Sequence, residues 1–342
     1  MSQQILFAPS VASVSGANQW SMVCQGRIFE PAEGRIQALI DDIVAPLVGA
    51  SRTDPLFRAR VGYFVSGSIQ GVRPSITLGD QVVQLAPSDP AGYFEADIPL
   101  TDDQVALLSR DGVITFESQS TSNNPARFPG SAVPVQEEGV IVVSDIDDTI
   151  KETNVRVHAQ AIANTLVRPF RPVAGMPDVY RAWKEASGRR VHFHIVSAGP
   201  WQFHEPLRRF TEEAGFPAFT WDMRPVDLAD PKALIAETVN PNPERLYHFK
   251  VKKIRDLMAR FPRRHVVLVG DSGEKDPETY ATILSDSEFA DRVDAVFIHN
   301  VTEEGKGSKR YQDLFPTPKA AGKLQVFAQA SELPRRLADS AS

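Results

Sequence analysis

Residues 139–149 read GVIVVSDIDDT, an apolar run that ends in three carboxylates within four residues. A continuous run of β-branched residues is typical of a strand that is buried on both faces of a parallel sheet. In open α/β sheets, ligands bind outside the carboxyl ends of the strands. This stretch therefore predicts an α/β domain with an acidic site at the end of its first strand.

The pair Asp145 and Asp147 indicates phosphoryl-transfer chemistry. Side chains two apart on a strand point to one side, and a loop after Asp145 can bring both carboxylates onto one phosphoryl group. One carboxylate can attack phosphorus and form an aspartyl-phosphate, while the other protonates the leaving alcohol and later deprotonates water. Two close carboxylates repel each other, so they need a cation, most simply Mg²⁺. A solvated acidic loop is the alternative that a D-x-D pair alone leaves open.

Two further apolar runs, residues 190–196 and 265–269, predict neighbouring strands that also end in polar residues. Ser197 follows the first run, where it is placed either to donate to a phosphoryl oxygen or to cap a helix. Asp271 and Asp276 follow the second run in a glycine-rich loop. Both carboxylates can reach a cation near the first acidic pair.

A lysine is the remaining part that a phosphoaspartyl site needs, because its charge offsets that of the phosphoryl group. Residues 248–261 predict an amphipathic helix with Lys250 at its start, towards the carboxyl edge of the sheet. A lysine at a helix N-terminus is electrostatically unfavourable, and a bound anion would account for it. Lys252 and Lys253 are expected to face solvent, although the sequence leaves open which of the three contacts phosphate.

The first 120 residues have a different pattern, with short strands between turn signals. They predict a small, mostly-β sandwich domain with one or two helices. The expected strands are 20–30, 60–67, 75–85 as a hairpin, 92–100 and 112–119, and the expected helices are 33–48 and 101–109. Residues 121–138, rich in Ser, Asn, Pro and Gly, are interpreted as a linker that is able to order against a neighbour. Residues 139–342 form the predicted catalytic domain.

Composition narrows the class of protein. The 342 residues fit two domains, and every lysine lies after residue 140, which supports two different surfaces. The single cysteine, Cys24, excludes an internal disulfide framework and cysteine zinc sites. A net charge of −6 argues against general nucleic-acid binding. The sequence has no apolar run long enough to predict a membrane span. Its N-terminus has no basic start of the kind that predicts a secretory signal. We therefore expect a cytoplasmic protein, with peripheral attachment to membranes as a further alternative.

The order D-x-D-x-T, Ser, Lys, GDS-x-x-x-D resembles the haloacid dehalogenase superfamily of phosphotransferases. Residues 139–338 are more specifically similar to the catalytic domain of actin-patch-type phosphatidate phosphatases, through SDIDDTIKETNV, HIVSAGPWQF and the segment from FPRRHVVLVGDSGEKD to PETY. The resemblance implies a Rossmann-like parallel sheet flanked by helices, with a small cap. It also implies a Mg²⁺-dependent phosphatase.

The resemblance assigns a role to each matching residue. Asp145 is the implied nucleophile and first metal ligand, and Asp147 is the implied general acid/base, whose backbone carbonyl also binds Mg²⁺. Ser197 and Lys250 are the implied phosphoryl-binding residues, and the implied metal ligands in the fourth motif are Asp271 and, second to it, Asp276. One departure is the Ala198-Gly199 pair after Ser197, where the family is expected to carry more serines.

The carboxylate two residues after the nucleophile favours phosphomonoester hydrolysis, because dehalogenases and transport ATPases of the superfamily lack it. About forty residues separate the first two motifs, which leaves room for only a small cap and an open site. An open site suits a bulky or membrane-bound substrate such as phosphatidate, hydrolysed to diacylglycerol. A soluble or protein phosphomonoester, or a lipid- or partner-binding scaffold with a vestigial site, are the alternatives. The partner of the N-terminal domain is not indicated.

The expected apolar rim for acyl chains, with a buried core as the alternative for most members, consists of Phe170, Trp201, Phe203, Phe216, Phe219 and Trp221. Arg168, Arg171, Arg208 and Arg209 are the candidates for contact with an anionic head group, and a solvated surface is their alternative role.

Overall fold

The computed structural model describes residues 3–30, 54–64, 66–120, 124–226 and 242–337. These residues divide into two compact units. The first unit is formed by the chain up to Gln136, joined by Pro200–His204, Pro225 and Val226. The second begins at Glu137 and contains all of the predicted site residues. Within the described ranges, no helix has the length and apolarity needed to cross a membrane.

The first unit is built mainly from strands. Its described strands and helices are β1 (Gln4–Ala8), β2 (Ser10–Gly16), β3 (Gln19–Glu30), α1 (Pro55–Phe64), β4 (Gly67–Ser68), β5 (Ser75–Leu78), β6 (Gln81–Gln84), β7 (Tyr93–Thr101), α2 (Asp102–Leu108), β8 (Ser109–Arg110), β9 (Val113–Ser118) and β10 (Pro129–Pro134).

The strands of this unit join in one hydrogen-bonded network, in the order β1-β3-β2-β10-β9-β5-β6, with β7 and β4 paired to β3 and β8 to β9. Most of the ladders are antiparallel, and β10 runs parallel to β2. The network encloses a core in which Phe7 contacts Phe94 and Phe116 edge-on, at 5.7 and 5.1 Å between ring centroids. The predicted mostly-β character is confirmed, and β10 lies within the segment interpreted as a linker.

The strand predicted over residues 60–67 is wrong, because residues 55–64 form helix α1. The carboxylate of Asp54 accepts hydrogen bonds from the amides of Leu56 and Phe57 at 2.8 and 3.0 Å, which caps the first turn. Phe57 and Val61, four residues apart, are both buried and form the apolar face of the helix. The helix predicted over residues 33–48 lies outside the described residues.

The second unit alternates strands with helices. Its elements in the described ranges are β11 (Gly139–Ser144), α3 (His158–Leu166), α4 (Met176–Ser187), β12 (Val191–Pro200), α5 (His204–Glu213), β13 (Thr220–Arg224), α6 (Pro243–Arg260), β14 (Arg264–Asp271), α7 (Asp276–Ser285), β15 (Val293–His299), α8 (Lys309–Leu314), α9 (Pro318–Lys323) and β16 (Leu324–Phe327).

The sheet of the second unit has the order β13-β12-β11-β14-β15-β16. The ladders β11–β12, β11–β14, β14–β15 and β15–β16 are parallel, so the predicted parallel α/β sheet flanked by helices is confirmed. Ile141 and Val142 are fully buried, as expected for a central strand. Because β11 lies between β12 and β14, the residues that follow these three strands meet at one edge of the sheet.

Candidate active site

The site is formed where β11, β12 and β14 end. Asp145 directly follows β11, and its amide donates to the carbonyl of Val269 in β14 at 2.9 Å. Asp271 is the last residue of β14, and Ser197 lies near the end of β12. All three side chains are almost fully buried. The predicted convergence of these residues therefore follows from the strand order.

Lys250 lies at the centre of the acidic residues. Its ammonium group is 2.8 Å from Asp145 Oδ1, 2.6 Å from Asp276 Oδ1 and 3.2 Å from Glu274 Oε2. Burial by itself lowers the pKa of Lys250, but the charges of Asp145, Asp276 and Glu274 outweigh burial and raise that pKa well above its usual value. Lys250 is therefore a fixed positive charge beside the candidate nucleophile.

The structure distinguishes the three lysines of helix α6. Lys250 is buried, whereas the Lys252 side chain is 71% exposed and pairs with Asp256. Lys253 is 2.8 Å from Asp222, outside the cluster around Lys250. The prediction that Lys250 starts the helix is wrong, because Asn242 caps it and Lys250 lies two turns later. A position inside the helix holds the lysine more rigidly than a helix end.

Asp145, Asp271 and Asp276 form a buried cluster of carboxylates. One carboxylate oxygen from each of the three residues lies within 4.8 Å of the others. Asp271 Oδ1 accepts the amide of Gly273 at 2.6 Å, but its buried Oδ2 has no hydrogen-bond partner among the described residues. Because Mg²⁺ prefers oxygen ligands, this buried, partly unpaired set fits it.

The pKa values in the cluster reflect burial first and mutual repulsion second. Burial raises the pKa of Asp145 to about 7, against the lowering effect of Lys250. Burial and the charge of Asp145 raise the pKa of Asp276 to about 6, again against Lys250. The pKa of Asp271 is raised well above its usual value by burial and by Asp276 and Glu274. A cation would relieve this repulsion.

Asp147 has a separate environment. Its Oδ1 accepts from Lys151 Nζ at 2.8 Å and from Thr153 Oγ1 at 2.5 Å. Although burial raises its pKa, the charge and hydrogen bond of Lys151 and the hydrogen bond of Thr153 lower it overall. The two aspartates, two residues apart, therefore differ in electrostatic environment, with the pKa of Asp145 raised and that of Asp147 lowered.

The third carboxylate of the motif organises the loop. Asp148 has a φ of 53°, a left-handed conformation that Asp tolerates better than most residues. Its Oδ1 accepts the amides of Thr153 and Asn154, and its Oδ2 that of Val155, all at 2.7 Å. Sequence reasoning gave Asp148 no role, although its position beside the D-x-D pair was a signal that could have indicated one.

Ser197 is nearly fully buried, and its hydroxyl accepts the amide of Gly199 at 3.1 Å. This contact lies within the last residues of β12 and involves no atom of the acidic cluster. The phosphoryl-binding role of Ser197 stays a prediction.

A buried polar chain lies on β12 and β13. The hydroxyl of Thr220 hydrogen-bonds to His192 Nε2 at 2.8 Å and to His194 Nδ1 at 2.7 Å. Asp222 contacts His194 on one side and Lys253 on the other. The chain joins helix α6 to the sheet, so it supports the element that carries Lys250.

The expected apolar rim is largely core. All of its members except Phe170 are buried: Trp201, Phe203, Phe216, Phe219 and Trp221. Arg208 pairs with Glu205 and Glu212 along helix α5, and Arg209 lies 3.7 Å from Glu205. The five buried aromatic side chains therefore belong to the core, and Arg208 and Arg209 belong to the surface. Both are the alternative roles that the sequence left open.

Comparison with known proteins identifies similar chains. Residues 140–300 match the family model described as phosphatidate phosphatase APP1, catalytic domain. An uncharacterized protein of Schizosaccharomyces pombe is 29% identical over 228 residues, which cover 65% of this chain and 35% of that protein. Phosphatidate phosphatase APP1 of Saccharomyces cerevisiae is 26% identical over 230 residues, which cover 64% of this chain and 37% of that protein. The aligned part thus spans little more than a third of each relative.

Proposed function

We propose, on the premise that residues 140–300 belong to the phosphatidate phosphatase catalytic-domain family, that this protein hydrolyses phosphomonoesters through an aspartyl-phosphate on Asp145. The observation that carries the proposal is the buried pair of Asp145 and Lys250, with Asp147 held apart by Lys151. This arrangement supplies a nucleophile, a positive charge and an acid/base residue within one loop and one helix.

In the proposed first step, a carboxylate oxygen of Asp145 attacks phosphorus while the bond to the ester oxygen breaks. Asp147, in its protonated form, donates a proton to that oxygen, and the alcohol leaves. In the second step, Asp147 takes a proton from water as the water oxygen attacks phosphorus and the bond from phosphorus to the Asp145 oxygen breaks. Inorganic phosphate leaves and Asp145 is restored. Lys250 offsets the negative charge that the phosphoryl group brings to the cluster.

We propose Mg²⁺ as the cofactor, held by the carboxylates of Asp145 and Asp271 and by the backbone carbonyl of Asp147. When bound, the ion would offset the charges of the carboxylates and phosphoryl oxygens. Asp276 is the proposed second ligand of the fourth motif. Its oxygens also accept from Lys250 and from the amide of Asp271 at 2.6 and 3.2 Å, so Asp276 orients those two residues as well.

The proposed substrate is phosphatidate, converted to diacylglycerol at a membrane surface by a cytoplasmic protein that attaches peripherally. The name of the Saccharomyces cerevisiae relative favours this substrate. The short segment between the first two motifs, with the single described helix α3 ahead of Pro169, favours an open site of the kind that a membrane-bound ester needs. A soluble or protein phosphomonoester keeps the same chemistry as the alternative, and a vestigial site on a scaffold is the alternative without chemistry.

The test compares phosphate release from dioleoyl phosphatidate in mixed micelles with release from para-nitrophenyl phosphate, both with Mg²⁺. We expect release from the lipid, and we expect Asp145→Asn to abolish it. Release from the soluble ester alone would keep the mechanism and reject the lipid. Full activity in Asp145→Asn would reject the mechanism.

A further inference from the structure

A second buried lysine lies beside the acid/base residue. Lys151 is only 1% exposed, and it carries a charge that is costly to bury unless it is paired. Its ammonium group donates to Asp147 Oδ1 at 2.8 Å and to the hydroxyl of Thr153. Thr153 in turn donates to Asp147 Oδ1 at 2.5 Å. Three groups thus form a closed ring of hydrogen bonds around one carboxylate oxygen.

The backbone brings these groups together. The amide of Lys151 donates to the carbonyl of Ile146 at 2.9 Å, and the amide of Asp148 donates to the carbonyl of Lys151 at 2.7 Å. This tight loop places residues 147 and 151 opposite each other. The ring of Phe170 lies 5.1 Å from the Lys151 ammonium and covers it with a π-face.

The two buried lysines contact different carboxylates. Lys250 contacts Asp145, Glu274 and Asp276, whereas the carboxylate that Lys151 contacts is that of Asp147. Because a buried ion pair is weak as a source of stability, Lys151 is better explained by what it does to Asp147 than by the fold alone.

The ring of hydrogen bonds distinguishes the two oxygens of Asp147. Oδ1 accepts both Lys151 and Thr153, while Oδ2 accepts no hydrogen bond from the described residues. The Asp147 side chain is 29% exposed, in contrast to its two partners. With Oδ1 engaged, Oδ2 is the oxygen left to reach a substrate or a water molecule.

We infer that Lys151 and Thr153 are positioning residues that fix the carboxylate of Asp147 through Oδ1 and present Oδ2 for both proton transfers. This inference rests on the proposed function, in which Asp147 is the acid/base residue. A catalytic group displaced by about 1 Å loses roughly 100-fold in rate, so the clamp is expected to affect turnover far more than substrate binding.

The test uses para-nitrophenyl phosphate, whose leaving group needs little help from an acid, so Asp145 can still be phosphorylated when Asp147 is misplaced. We expect Lys151→Met and Thr153→Val to lower kcat by about 10- to 100-fold, with KM falling in parallel and less than a threefold change in kcat/KM. Hydrolysis of the phosphoenzyme should become limiting, so both variants should release a rapid burst of nitrophenolate approaching one per active site. Thr153→Ser, which keeps the hydroxyl, should restore wild-type kcat.

A double-mutant cycle separates a positioning role from a general structural one. In an Asp147→Asn background, Lys151→Met and Thr153→Val should lower kcat by less than a further twofold, because the group that these residues position is already inactive. Losses of kcat of the same size in both backgrounds would overturn the inference. A loss of kcat without a burst of nitrophenolate would overturn it as well. Thermal unfolding of each variant identifies any that fail to fold, and the comparison of Thr153→Val with Thr153→Ser then decides alone. A wild-type protein that hydrolyses no ester, or an Asp145→Asn variant that remains active, would overturn the proposed function and this inference with it.

Discussion

At the scale of single residues, the chemistry of the site depends on which lysine is buried. Periodicity alone predicts an amphipathic helix and leaves the three lysines of residues 250–253 unresolved. The packing of helix α6 decides between them, because it buries Lys250 against Asp145 and leaves Lys252 in solvent. The position of Lys250 and Asp145 towards one edge of the sheet was thus predictable, while their contact depends on tertiary structure.

Lys250→Met should lower phosphatase activity by about 100-fold or more, since it removes the charge that offsets the phosphoryl group. Lys252→Met is the matched control on the same helix. It should leave activity unchanged and change the free energy of unfolding by less than about 0.5 kcal/mol, as is usual for exposed sites. Steady-state kinetics and urea unfolding check both. Equal losses of activity in the two variants would contradict the assignment of Lys250.

His192 makes stability depend on pH. Burial, and after it His194, lowers its pKa well below the ordinary value. The unfolded chain therefore binds a proton below about pH 6.5 that the folded chain does not, and stability falls as pH falls through this value, by up to about 1.4 kcal/mol per pH unit. Urea unfolding at pH 7.0 and 5.5 should show a smaller loss for His192→Asn than for the wild type. The same loss in both would show that His192 is not the source.

At the scale of elements, the sequence predicts a turn or a helix correctly where the residues that form its turn or cap are close together in the chain. The predicted hairpin at residues 75–85 and the helix after Thr101 are both present, the latter with a capping box between Thr101 and Gln104. The strand predicted at residues 60–67 is wrong. Its aromatic and β-branched residues favour a strand, whereas the preceding pair Asp54-Pro55 is a signal for the start of a helix. Tertiary contacts of Phe57 and Val61 favour the helix.

The loop after β11 depends on Asp148, whose carboxylate holds three amides. Asp148→Ala should lower the free energy of unfolding by roughly 2 to 4 kcal/mol, since hydrogen bonds to charged groups contribute about 1.5 to 3 kcal/mol each and do not add fully. Asp148→Gly should be more stable than Asp148→Ala, because glycine adopts a positive φ readily. Urea unfolding measures both effects. An Asp148→Ala variant as stable as the wild type would contradict this role.

At the scale of the whole molecule, the parallel sheet explains why the predicted residues meet. The sequence predicts which residues follow strands, and the order β12-β11-β14 brings those ends to one edge. The partners of Lys250 and Lys151 could not be predicted, since both sets depend on how loops fold over that edge. The boundaries 1–120, 121–138 and 139–342 stay a prediction.

If the clustered carboxylates hold Mg²⁺ as proposed, the folded protein binds the cation better than the unfolded chain does. Mg²⁺ should therefore raise the melting temperature, with about 2.7 kcal/mol of stabilisation at 100 times its Kd. Asp271→Asn, which alters the oxygen left unpaired in the cluster, should reduce this rise. Scanning calorimetry in MgCl₂, against NaCl at matched ionic strength, measures it. An identical rise in the variant would exclude Asp271 as a ligand.

The most direct test of the account is the identity of the phosphorylated residue. The Asp147→Asn variant is mixed with para-nitrophenyl phosphate and Mg²⁺, quenched, and reduced with borohydride, which converts an aspartyl-phosphate to homoserine. Mass spectrometry should find homoserine at position 145 only when the ester is present. Turnover by the wild type together with homoserine at another position would contradict the assignment of Asp145 as the nucleophile.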